Sequence, residues 1–437
     1  MIFGRFGLPC LPAGRRLRSS FPISKENKAT DAIEDTHIKF YPKLKSKIQT
    51  YPISPKMNSA TLQTPISQRY LALDVLRGLT IAFMIIVNTP GSWEVMYSPL
   101  AHASWHGFTP TDLVFPTFLF VVGNAMSFAM KRLAEMPSKE FYRKVFKRAF
   151  LIFAIGWLLN AFPFFDYSES GDLVFINLLE VRLFGVLQRI AVCYLLAALI
   201  LYWGGIRLGW IFSIVALVAY WPIMYFFGES GDPYSLTGNA AIKLDLALIG
   251  AERMYTGEGI AFDPEGLLSS LTATVNVILG FIVGKMIQIK GNTLDTIKRL
   301  IGFGIVLMIL AYVWDLAFPI NKKIWTSPYV LLTVSWDLFL LAGLIWSIEI
   351  RNWKGWTYFF EVFGRNPLIL YVASGIVISI FSIIPIGDQN LKNLIYAAAF
   401  TSWLSPKMAS FLFSVSYMLL IWAIGYWMDR RKIYIKV

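Results

Sequence analysis

Past residue 70 the chain alternates long apolar stretches with short polar ones. A helix rising about 1.5 Å per residue needs about 20 residues to cross roughly 30 Å of hydrocarbon. Stretches of that length recur, and the pattern predicts about ten membrane-spanning helices, over approximately 71–88, 112–130, 149–165, 184–203, 210–227, 267–289, 300–318, 329–350, 368–384 and 408–428. The apolar run 391–404, bounded by Pro385 and Pro406, is too short to span and reads as a re-entrant or interfacial helix. The fold class is all-α, a polytopic membrane helix bundle, with no evident internal repeat.

Composition sharpens this picture. Of 437 residues, 56% are hydrophobic and 15% charged, against about 25% charged in soluble proteins, and the mean hydropathy is +0.56. That is more apolar surface than one aqueous core can hide, which excludes most soluble enzymes and the disordered and fibrous classes. A net charge of +13 would suggest nucleic acid in a soluble protein, but here the first 69 residues hold twelve Lys and Arg against four Asp and Glu. The remaining positive charge sits in short loops between apolar runs, so no nucleic-acid partner is expected. Residues 1–68, interrupted by Pro9, Pro12, Pro22, Pro42, Pro52 and Pro55, read as a disordered basic tail ahead of a transmembrane domain over 69–437. The opening apolar stretch is too broken for a signal peptide. Translation is expected to begin at Met57, with the upstream residues a gene-model extension or a dispensable tail. Cys10 and Cys193 support neither a disulfide framework nor a thiolate metal cluster.

Loop charges set the expected orientation. With both termini in the cytoplasm, the inner loops carry Lys131, Arg132, Lys139, Arg143, Lys144, Lys147 and Arg148, then Arg207, Lys285, Lys290, Lys298, Arg299, Arg351 and Lys354. Outer loops are acid-rich, with Asp166, Glu180, Glu229, Asp232, Asp245, Asp263 and Glu265 among their residues. One outer loop runs against the rule, that of Lys322 and Lys323.

Candidate chemistry gathers at the outer level. His102 and His106 share one short loop, and every histidine after Met57 lies there. Asp112 follows at the mouth of the second span, where a carboxylate facing hydrocarbon would cost roughly 2.5–3.5 kcal/mol, so it is expected to face inward with a partner. A His–Asp pair makes a general base, because the carboxylate fixes the imidazole tautomer. The competing readings are interfacial anchoring with Asp112 as a helix cap, and a metal site using His102 and His106 at i, i+4, which lacks a third ligand. Asn88, Arg182, Gln188 and Arg189 come out at the same level, as substrate or oxyanion contacts or as ordinary interhelical hydrogen bonds. Asp74 and Arg77 read as an ion pair on the helix surface, and Asp315 and Asp337 as carboxylates without an assigned partner.

Several motifs carry a resemblance. Residues 69–78 (RYLALDVLRG), His102-Ala103-Ser104-Trp105-His106-Gly107-Phe108-Thr109 running into Asp112-Leu113-Val114-Phe115-Pro116, Gly185-Val186-Leu187-Gln188-Arg189, Asp263-Pro264-Glu265-Gly266 and Pro319-Ile320-Asn321-Lys322-Lys323-Ile324-Trp325 occur in this order. They resemble the heparan-alpha-glucosaminide N-acetyltransferase family of transmembrane acyltransferases and their bacterial relatives, over nearly everything after residue 68. The resemblance implies transfer of an acetyl group from cytosolic acetyl-CoA, a co-substrate, to the amine of a glucosamine-type sugar on the far side of the membrane. It implies no metal. The family's catalytic histidine matches His102, with Asp112 and Asn88 at positions associated with its active site, while His106 departs from the family pattern. It further implies a bacterial inner-membrane location and a possible homodimer. Lys131, Arg132, Arg143 and Lys147 are the candidate contacts for the CoA phosphates, a role that competes with their place in the positive-inside pattern. Two alternatives remain: an amino-sugar transporter without acetyl transfer, and an O- or N-acyltransferase of a lipid-linked or exported glycan.

Overall fold

The computed structural model describes residues 70–167 and 172–435; the leading segment 1–68, with its expected disorder, lies outside them. The described chain is a bundle of helices with two short antiparallel hairpins, one pairing Phe165–Tyr167 with Leu173–Phe175. Its first helix, α1 (Leu71–Asn88), coincides with the first expected span and stops immediately before Thr89-Pro90. Proline rejects the helical conformation for the residue before it and has no N–H to continue the ladder. Then come α2 (Val114–Ala134), α3 (Ser138–Ala161), α4 (Val186–Phe227), the short α5 (Ala240–Leu248), α6 (Ser269–Lys290), α7 (Leu294–Asp315) and α8 (Ser327–Leu344). The chain closes with α9 (Thr357–Arg365), α10 (Pro367–Ile383), α11 (Leu391–Tyr396) and α12 (Pro406–Arg430).

Seven of these helices are long and apolar enough to cross a membrane, or eight if the bent pair α9–α10 is one span. The expected ten are not reached by that measure, for three physical reasons. The first half of α3 carries Lys139, Glu140, Arg143, Lys144, Lys147 and Arg148, which dilutes its hydropathy. Helix α10 has only 17 residues and meets α9 at 84°. The third reason lies in α4, whose 42 residues run on where two spans were expected.

Within α4 the backbone leaves helical geometry at Gly205, with φ 57° and ψ −154°, a region open to glycine and costly for other residues. A straight helix would hold Arg189 and Tyr220 about 46 Å apart. Yet the Arg189 guanidinium lies 4.7 Å from the Trp325 ring centre, and the Tyr220 hydroxyl donates to the Ile324 carbonyl at 2.7 Å. The segment therefore folds back at Gly205, and its halves occupy the places foreseen for 184–203 and 210–227.

The core is held where backbones come close. A Cβ on Gly280 of α6 would stand 2.0 Å from the Phe120 carbonyl oxygen of α2, and one on Gly123 of α2 would stand 1.9 Å from that of Val277. Small residues let helices approach closely where lipid supplies no hydrophobic drive. Replacing Gly280 with Val is expected to destabilise the bundle by at least about 3 kcal/mol, since neither backbone can yield. A thermal-stability assay in detergent checks this; an unchanged melting temperature would show that α2 and α6 can separate freely.

Candidate active site

The loop between α1 and α2 is fixed by its own polar groups. A 3₁₀ turn, Pro110–Leu113, leads into α2, and Asp112 sits at its third position, fully buried. Its Oδ2 accepts the backbone N–H groups of Thr109 at 3.0 Å and Ala103 at 3.2 Å, with the Thr109 hydroxyl also at 3.0 Å. Its Oδ1 is 2.7 Å from His102 Nδ1. A carboxylate only accepts, so the Nδ1–H donates to it and Nε2 keeps its lone pair as the ring's acceptor. Asp112 is not itself the N-cap: through Oδ2 it closes a capping box with Thr109, and through Oδ1 it orients the His102 ring. From α8 the Tyr329 hydroxyl donates to the Asp112 carbonyl at 2.6 Å and fixes the turn from beneath.

A second loop, between α7 and α8, completes the site. Gly107 N–H donates to the Ile320 carbonyl at 2.8 Å, and Asn321 Nδ2 lies 3.3 Å from His106 Nδ1. His106 therefore braces the two loops rather than sharing a ligand position with His102. Lys322 Nζ stands 2.9 Å from His102 Nδ1, 3.1 Å from Nε2 and 3.6 Å from Asp112 Oδ1. Burial draws the Lys322 ammonium toward its neutral form, against the opposing pull of Asp112 and Glu265. Next to it, Lys323 is committed elsewhere, donating to Glu258 at 2.5 Å and to the Ser104 carbonyl at 2.7 Å.

Of these groups His102 and Lys322 face a cavity of about 110 Å³ whose wall also includes Met84, Val87, Asn88, Thr111, Val114, Phe115, Val186 and Glu265. Asn88, the last residue of α1, is exposed there, and its amide makes no hydrogen bond among the described residues. Glu265 is held by Arg182, which bonds it at 2.6 Å and grips Asp263 through two contacts of 2.7 and 3.0 Å. The shared guanidinium keeps the Glu265 carboxyl below its ordinary range despite burial. Arg182 thus reaches the cavity through Glu265. Gln188 and Arg189, expected at the same site, do not line it. Gln188 is buried against Gly156 and Gly185, and Arg189 turns away, its Nη2 donating to the Gly266 carbonyl and Ser269 and its guanidinium lying on the face of Trp325.

Asp245 of α5 lies behind this layer, its Oδ1 accepting the Leu267 N–H at 3.0 Å and its buried Oδ2 without a partner among the described residues. Burial, with Asp263 nearby, pushes its carboxyl up to about 6. The folded state then holds this proton more tightly than the unfolded chain, so the group costs stability as pH rises from about 4 to about 6. Asp245→Asn is expected to stabilise the fold near pH 7 by about 2–3 kcal/mol, and melting curves at pH 4 and 7 check it. A gain at pH 4 as large as at pH 7 would rule this cause out.

A larger cavity, about 370 Å³, opens further along the same helices. Its lining includes Arg77 of α1, Phe118, Val121, Val122 and Ala125 of α2, Arg148 of α3, Leu187, Ile190 and Tyr194 of α4, and Arg365 of α9. Phe118 is one turn beyond Phe115, and Leu187 follows Val186, so successive turns of α1, α2 and α4 line the two cavities in order. Arg77 keeps its expected contact with Asp74 at 3.4 Å, and Arg365 pairs with Asp429 and Glu361. Arg148 makes no ion pair among the described residues. Its guanidinium lies 4.8 Å from the Tyr194 ring centre, with Nε buried and unpartnered. Of the expected phosphate contacts, Arg143 and Lys147 are exposed and absent from this lining. Lys131 and Arg132 stand on α2, and their side chains lie outside what is described.

The long apolar helices define a polytopic membrane protein, with a braced histidine at one level of the bundle and an arginine-lined cavity at another. Residues 69–236 match the family profile described as heparan-alpha-glucosaminide N-acetyltransferase, catalytic, which is the resemblance carried by the motifs. The heparan-alpha-glucosaminide N-acetyltransferase of Homo sapiens is 27% identical, over 75% of this chain and 56% of the human protein. That of Mus musculus is 26% identical, over 72% and 54% respectively. The chain spans about half the length of these curated relatives.

Proposed function

We propose that the protein is a transmembrane N-acetyltransferase that carries an acetyl group from cytosolic acetyl-CoA to the amine of a glucosamine-type sugar on the opposite side. The observation that carries this reading is the alignment of the two cavities on shared helices, with the His102–Asp112 pair at one and three arginines at the other. With both termini in the cytoplasm, the arginine cavity faces the donor's side. Its guanidinium groups suit the phosphates of CoA, and the pantetheine arm is long and thin enough to follow α1, α2 and α4 toward His102.

In the transfer itself the sugar amine attacks the thioester carbonyl and His102 Nε2 takes the amine's proton. Asp112 holds the Nδ1–H and stabilises the imidazolium that forms. Asn88 offers an uncommitted amide to the oxyanion, and the C–S bond then breaks, the thiolate leaving with a proton. A relay through an acetyl group on Nε2 uses the same arrangement. Glu265 supplies a carboxylate for the acceptor's ammonium or hydroxyl groups.

The test is transfer from labelled acetyl-CoA by purified protein in detergent, with free glucosamine, terminal glucosaminides and lipid-linked amino sugars as acceptors. Labelled product supports the reading and names the acceptor; no product and no CoA release with any of them would overturn it. Arg148→Leu is expected to raise the KM for acetyl-CoA about 10- to 100-fold, the value of a charged hydrogen bond of roughly 1.5–3 kcal/mol, with kcat nearly kept. An unchanged KM would move the donor elsewhere.

A further inference from the structure

We infer that Lys322 is itself an acetyl acceptor, so that the protein acetylates its own site lysine when no sugar amine is present. The inference rests on the acetyl-CoA reading above. Lys322 Nζ is a primary amine on the wall of the same 110 Å³ cavity as His102 and Asn88. It lies 3.1 Å from His102 Nε2, the atom from which transfer is directed. An amine in contact with Nε2 is within reach of an acetyl carbon held on a thioester beside that atom or on Nε2 itself, the proximity that acyl transfer requires. In position and functional group, Lys322 mimics the sugar amine.

Attack needs the neutral amine, and the site contains both influences that decide its protonation. Burial favours loss of the proton, whereas the carboxylates of Asp112 and Glu265 favour keeping it, and Lys323 adds a repulsive charge. His102 Nε2 is close enough to receive the proton. The step balances: the Nζ–C bond forms, the C–S bond of acetyl-CoA breaks, and one proton passes from Nζ through His102 to the leaving CoA thiolate. The product is an uncharged acetamide in the cavity, which can neither ion-pair with Asp112 nor leave room for an acceptor. Self-acetylation therefore arrests sugar transfer, and an occupied acceptor site prevents it.

Lys323 is the internal control. It is adjacent in sequence, yet its Nζ is committed to Glu258 and the Ser104 carbonyl, away from the imidazole.

The experiment incubates the purified full chain with labelled acetyl-CoA, with and without glucosamine, and maps acetyl-lysine by peptide fragmentation. Expected is one acetyl group on Lys322, little on Lys323, at least tenfold less on Lys322 with saturating acceptor, and loss of the mark in His102→Ala and in the more conservative His102→Gln. Preincubation with acetyl-CoA alone should lower later sugar transfer in step with the mark. Sugar transfer with Lys322 unmodified would overturn the inference and leave the proposed function standing. Equal marking of Lys322 and Lys323, independent of His102, would also overturn it by showing solution chemistry. Absence of CoA release with any acceptor would instead remove the proposed function, and this inference with it.

Discussion

Asp112→Asn is expected to cut acetyl transfer by about 10²–10⁴-fold while leaving the fold in place, a loss of the size seen when a catalytic histidine is held in the wrong tautomer. Two backbone N–H groups, from Ala103 and Thr109, converge on Asp112 Oδ2. An amide NH₂ cannot face two donors, so the Asn oxygen must take that place. The NH₂ then points at His102 Nδ1, which has to accept, and the ring proton moves to Nε2. The histidine keeps its position and loses its lone pair toward the substrate. Steady-state kcat, with gel filtration as the folding control, decides the matter. A variant within about threefold of wild type would mean that His102 does not depend on Asp112 for its tautomer.

His102→Ala removes the base altogether. General acid–base catalysis contributes about 10²–10⁴-fold, and a loss of that size is expected in kcat, with the KM for acetyl-CoA little changed because the arginine cavity is one or more turns away. Loss of the imidazole also frees Lys322 from its 2.9 and 3.1 Å contacts, although Asp112 still holds the ammonium. His106→Ala provides the contrast. It gives up the contact with Asn321 and should affect loop stability more than rate. Equal losses of kcat in the two variants would remove His102 from its assigned role.

Much of this site was legible in the sequence because its residues are close together along the chain. His102 and Asp112 are ten residues apart, and Asn88 is fixed by the Pro90 that ends α1. Lys322 was not legible as a partner, since it arrives from a loop 220 residues away. Apart from its place in the motif at 319–325, its trace was two lysines on the expected acid-rich side, a breach of the charge rule that makes sense once Asp112, Glu258 and Glu265 are seen beside them. Helical phase separates two of the expected phosphate contacts from the arginine cavity. Arg143 and Lys147 share one face of α3, and Arg148, one residue further, turns to the cavity. Gln188 and Arg189 sit at the right level but their side chains point behind the wall, which level alone does not reveal. The ten spans were counted from apolar length, which separates the two halves of α4 but does not register that α10 meets α9 at 84°.

The small size of the His102 cavity bears on the donor as well as the acceptor. About 110 Å³ must take the reacting carbonyl, the group attached to it and the incoming amine. Met84, Val87, Val114, Phe115 and Val186 close the apolar part of that space, and α1, α2 and α4, which carry them, are packed into the bundle core. A methyl group beside the carbonyl fits; a longer acyl chain has to compete with the incoming amine for the same space. On the proposed reading the protein is a gauge of acyl length, accepting the two-carbon thioester and turning away longer-chain CoA esters that share the same nucleotide handle.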